Sequence, residues 1–136
     1  MVSNVVCRWS STIAAHPESI ATAELAAAAI ADKKGEAILL LDLSELLVVT
    51  DVFVIATGTS TRHVRTLIES VEEALEAAHD RRVLRREGEQ YGRWVLLDYG
   101  DVVVHVFDPE TRDYYELERL WGDAPRLAFE PASAEA

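Results

Sequence analysis

Two aspartates and a histidine interrupt the otherwise apolar, strand-forming run WVLLDYGDVVVHVF, residues 94–107. Paired carboxylates can hold a catalytic metal ion, and a histidine near a carboxylate can move a proton or be held as a fixed hydrogen-bonding group. The same three residues, set beside Trp94, are equally the material of a gripping surface, because aromatic anchors ringed by polar groups dominate interface energies. Asp98, Asp101 and His105 are therefore read either as a catalytic site or as an interface.

An enzyme of the nucleotidyltransferase kind would pair a small Gly-Thr/Ser turn after one strand with metal-binding carboxylates on the next. TGTSTRHV, residues 57–64, lies where a strand turns into a helix and could supply free backbone N–H groups for a phosphate. It lacks the lysine and spacing of a P-loop and the three glycines of a dinucleotide fingerprint, so a helix cap with Gly58 relaxing the turn is the simpler reading. Asp98 and Asp101 flank a hairpin turn rather than alternate along one strand, and they need not point to a common metal. His16, His63, His79 and His105 sit at no spacing typical of zinc. Cys7, the only cysteine, can form no internal disulfide and has no plausible base near it. The residues imply no metal and no cofactor.

Composition narrows the partners. The 136 residues suffice for one compact domain with a real core, and 49% of them are apolar. A formal charge of −11 repels phosphate backbones and anionic membranes and suits a basic protein surface, so direct DNA binding is not expected. The longest alanine-rich run, AELAAAAIA, falls well short of the apolar length that spans a bilayer. The first 16 residues read as a flexible leader, and their acid-free, Ser/Thr-rich character weakly resembles an organelle transit peptide; a cytoplasmic protein of bacterial type is expected, with organellar import as the minor alternative.

The elements that must position these residues can be read in order. Pro17 opens a helix through ESIATAELAAAAIADKKG with Ile20, Ala23, Ala27 and Ile30 on one face, closed by Gly35. AILLLD and VFVIATG are continuous apolar strands, which implies a sheet covered on both faces. Ser60 or Thr61 caps a second helix, along which Val64, Leu67, Ile68, Val71, Leu75 and Ala78 recur at helical spacing. RRVLRREGEQYGR is polar and holds one short strand. A final helix, PETRDYYELERLW, ends at Gly122, and residues 128–136 read as a disordered tail. The expectation is a single α/β domain over residues 17–127, a mixed central sheet flanked by helices.

Gly100 and Asp101 supply a two-residue turn, with glycine at the position that needs a positive φ. Tyr99 then meets Val102, Leu97 meets Val104 and Val95 meets Val106 on one almost wholly apolar face. The other face sets Asp98 against Val103, Leu96 against His105 and Trp94 against Phe107, placing His105 diagonal to both Trp94 and Asp98. Either His105 is a half-buried core residue hydrogen-bonded to Asp98, or this face is a docking patch.

TDVFVIATGTSTRHV, REGEQYGRWVLLDYGDVVVHVF and RDYYELERLWGDAP, in that order, resemble the ribosomal silencing factor, or Iojap, family over residues 17–125. The resemblance implies a nucleotidyltransferase-like fold without catalysis. It further implies docking on the large ribosomal subunit at a ribosomal protein of the L-fourteen family, where small-subunit joining is blocked, and a part in large-subunit maturation. Carried over residue by residue, the docking surface would comprise Trp94, Asp98, Tyr99 and His105, with Tyr115 as a further contributor. Tyr99 is awkward, because the register sets it on the face opposite Trp94. Bacterial members include homodimers, which leaves that state open here.

Overall fold

The computed structural model describes residues 15–45, 50–88, 90, 92–115, 125–127 and 129, with side chains described as far as Arg112 in the last helix. Helix α1 spans Pro17–Asp32, strand β1 Glu36–Asp42, β2 Val52–Thr57, α2 Thr61–His79, β3 Arg85–Glu87, β4 Trp94–Asp98, β5 Val102–Phe107, α3 Pro109–Tyr115 and β6 Arg126–Leu127. The six strands form one sheet in the order β3-β4-β5-β2-β1-β6. Among the described strands only β2 and β5 run parallel, so the sheet is mixed, as the sequence implies. The parallel pair is joined by a long crossover that carries α2 and the β3–β4 hairpin, as parallel neighbours require.

Both long helices pack on one face, here the near face. Proline at the first helical position leaves no backbone donor to satisfy there, and the His16 Nδ1 accepts from the Glu18 N–H as the cap. Ala23, Ala26, Ala27 and Ile30 of α1 are fully buried against the sheet, small side chains that let helix and strands approach closely. Ser60 caps α2 by accepting from the His63 N–H, and Val64, Leu67, Ile68, Val71 and Leu75 face inward. Ala78, expected on that stripe, is exposed in the last turn. These helices bury Leu40, Val52, Val54, Ala56, Val95, Leu97, Val104 and Val106 of the sheet.

The opposite, far face carries a second and smaller apolar cluster of Leu41, Leu43, Ile55 and Phe107, with Leu39, Phe53 and Trp94 packed partly buried against it. Strand β6, pairing with β1 at Leu40 and Leu41, was not anticipated from sequence; two residues carry no periodicity. The leader up to residue 14, the C-terminal part of the last expected helix with Gly122, and most of the expected tail lie outside the described residues.

Candidate functional site

The β4–β5 hairpin takes the register that its turn dictates. Trp94 pairs with Phe107, Leu96 with His105 and Asp98 with Val103, and the Tyr99 N–H donates to the Val102 carbonyl at 2.9 Å across the turn. Gly100 adopts φ +95°, which the two-residue turn needs and which a side chain would strain. Trp94, Asp98 and His105 consequently share the far face, while Tyr99 lies on the near one.

On the far face, the Trp94 indole N–H donates to the His105 Nδ1 at 3.2 Å. That bond replaces the His105–Asp98 hydrogen bond expected for a plain core histidine. Phe53 tilts across the imidazole with ring centroids 4.5 Å apart, and Phe107 stacks with Trp94 at 4.9 Å. His105 is only 4% exposed, and burial pushes its pKa down to about 4, so the ring is neutral under ordinary conditions and is no proton shuttle there. Trp94, Leu96, Phe53 and Leu39 all remain partly exposed, making an apolar surface across three strands. Its rim is charged: the Arg85 guanidinium lies 3.1 Å from Glu87 and 3.9 Å from Asp98.

The two aspartates part company. Asp98 accepts the Gly100 N–H at 2.8 Å and braces the turn. Asp101 turns toward α1 and α2, accepting from Ser19 Oγ at 2.7 Å and from Arg81 Nη2 at 2.7 Å. Burial opposes the charge on Asp101, yet the hydrogen bonds from Arg81 and Ser19 hold its carboxyl below the usual range. The two carboxylates thus take different partners, Asp98 in the turn and Asp101 on α1 and Arg81. Among the described residues no three His, Cys, Asp or Glu side chains come together as metal ligands.

Tyr99 is 2% exposed beneath the helices, with the Arg81 guanidinium 5.8 Å from its ring centroid and donating to the Tyr99 carbonyl at 2.7 Å. The expectation that its ring belongs to the docking surface meets the pleat of the strand: one residue beyond Asp98, the side chain must point the other way. Tyr115 is the last described residue of α3, and its side chain lies outside the described residues. Sequence reasoning missed Arg81, whose guanidinium joins the hairpin turn to α1 through Asp101 and Thr22.

The turn at Gly58 is a helix cap. A Cβ there would stand 2.9 Å from the Val64 backbone nitrogen, so glycine is needed for closeness. His63 accepts the Thr59 N–H at Nδ1 (2.8 Å) and reaches the Lys33 carbonyl through Nε2 (2.8 Å), tying the start of α2 to the end of α1. The Thr59 and His63 N–H groups of this turn are thus taken up by the His63 ring and the Ser60 hydroxyl.

Comparison with known proteins gives a consistent picture. The family model described as "Ribosomal silencing factor during starvation" matches residues 16–136. The ribosomal silencing factor RsfS of Bacillus subtilis is 44% identical over 102 residues, which is 75% of this chain and 86% of that protein. The Mus musculus protein named mitochondrial assembly of ribosomal large subunit protein 1 is 41% identical over 75 residues, 53% of this chain and 32% of its own length. A crystal structure of a Chromobacterium violaceum protein superposes with a TM-score of 0.74 at 40% identity, covering 85% of this chain and 95% of that one.

Proposed function

The chain belongs to the ribosomal silencing factor family, and we propose that it represses translation by docking on the large ribosomal subunit and keeping the small subunit from joining. Its contact would be the ribosomal protein of the L-fourteen family, met by the far face of the hairpin. The observation that carries this reading is the partly exposed Trp94, braced by His105 and sharing its face with the partly exposed Phe53 and Leu96 and the charged rim of Arg85, Glu87 and Asp98. A rigid aromatic at the centre of an apolar patch with polar edges is the usual anatomy of an interface hot spot. The net charge of −11 favours a basic protein over the surrounding RNA phosphates.

Trp94 and Asp98 are assigned to direct contact and His105 to holding Trp94. Tyr99 supports the turn from the near face, and Tyr115 adds to the surface from α3. A part in large-subunit maturation belongs to the same reading, and the mouse relative's name refers to assembly of that subunit. The working place would be the bacterial cytoplasm; among the described residues no helix is long and apolar enough to cross a membrane. A homodimer is compatible with this function.

Co-sedimentation with separated subunits tests the proposal. The protein should pellet with large subunits alone, and mixing in small subunits should then yield fewer whole ribosomes. Binding to neither subunit, or undiminished joining with the large subunit saturated, would refute it.

A further inference from the structure

His105 holds a hydrogen atom for which the described structure offers no acceptor. An indole N–H can only donate, so the 3.2 Å contact from Trp94 makes Nδ1 of His105 the acceptor. In the neutral ring the proton must then sit on Nε2, and Nε2 is buried with no hydrogen-bond partner. Buried donors are nearly always satisfied, and one left without a partner calls for a reason. The covalent geometry of imidazole puts Nε2 at the end of the ring remote from the backbone, so on this strand it projects off the far face of the sheet. Among the described residues three rings pack about the imidazole: Phe53 at 4.5 Å, Trp94 at 6.1 Å and the fully buried Phe107 at 6.3 Å between centroids. Of these three rings, Phe53 and Trp94 are partly exposed, while Phe107 is fully buried.

We propose that the His105 Nε2–H is a donor kept for a neutral carbonyl oxygen of the protein that docks on the far face, presented between Phe53 and Trp94. This rests on the reading of that face as the docking surface. The chemistry selects the acceptor. A carboxylate or a phosphate would have to shed its water among aromatic rings, near Asp98 and within a chain of net charge −11. A backbone carbonyl or side-chain amide oxygen meets neither penalty, and completing a hydrogen bond that the free protein lacks makes the contact selective for a partner able to place an oxygen there. The same feature discriminates against ribosomal RNA, whose most abundant acceptors are phosphates. The other buried donor without a partner, the Tyr99 hydroxyl, lies on the near face, away from anything docking on the far one.

The test compares His105→Phe with His105→Gln, which sets an amide N–H at a similar reach from the backbone, in affinity for isolated large subunits and in thermal stability. The phenylalanine variant should melt no lower than wild type yet bind roughly tenfold more weakly, the effect of one buried hydrogen bond. The glutamine variant should stay within about threefold of wild type, since the donor survives. Equal binding by His105→Phe and wild type, or binding by His105→Gln as weak as that of His105→Phe, would overturn the proposal. Wild type that fails to bind large subunits would defeat the docking reading itself, and this inference with it. Should the phenylalanine variant not fold, the ring N–H resonance of His105 in the wild-type chain decides: adding the purified L-fourteen-family ribosomal protein should move it downfield, and an unmoved resonance in the complex would overturn the assignment.

Discussion

The two faces of the β4–β5 hairpin are built from alternate residues of the same eleven or so positions, yet they serve opposite ends. On the near face Val95, Leu97, Val104 and Val106 are fully buried under α1 and α2, and the turn is held by Arg81, Asp101 and Ser19. On the far face Trp94, Leu96 and Asp98 stay partly exposed, and the hydrogen bond from Trp94 ends on a histidine whose other nitrogen has no partner. Each face keeps one buried polar group without a partner, the Tyr99 hydroxyl under the helices and the His105 Nε2 on the far side, but only the far one has partly exposed neighbours through which a docking protein could reach it. The period of two in a strand lets a single hairpin carry the core on one side and the proposed docking surface on the other.

The comparison predicts that near-face changes alter stability and far-face changes alter binding. The largest effect should come from Leu97→Ala, fully buried on the near face: about 4 kcal/mol lost in urea denaturation, with binding of the remaining folded protein unchanged. Next is the acid response of His105. Folded, the ring stays neutral down to about pH 4; unfolded, it protonates near 6.5. Stability is therefore intact above pH 6.5 and falls as the pH drops toward 4, by on the order of 3 kcal/mol, and His105→Phe should flatten that part of the profile. Trp94→Ala should weaken large-subunit binding by about 2 kcal/mol while the folded state persists, since Trp94 is partly exposed and lies at the edge of the smaller cluster. Arg81→Gln, the smallest, should cost about 1 kcal/mol of stability through the freed turn and leave binding within twofold. A near-face change that spared stability but abolished binding would break the division.

Much of this was legible in the sequence because local chemistry decides it. Gly100 and Asp101 set the turn, the turn sets the register, and the register separates Trp94, Asp98 and His105 from Tyr99. Ser60 and Pro17 likewise fix where α2 and α1 begin. What escaped depends on contacts distant in the chain. Arg81 sits in a polar segment that reads as loop, and only the fold brings Asp101 to it, 20 residues on. The choice between Asp98 and Trp94 as the His105 partner was open, since sequence gives the diagonal neighbours but not which of them an imidazole turns to. His16 as a helix cap was unforeseen because serine, threonine, aspartate and asparagine ordinarily take that place.

The most direct measurement is site-specific photo-crosslinking to isolated large subunits, with the crosslinker placed in turn at Leu96 on the far face and at the exposed Glu69 of α2. The account predicts a crosslink from position 96 to a basic ribosomal protein and none from position 69. A crosslink from position 69 alone would contradict it, because the surface that meets the ribosome would then be the helical one.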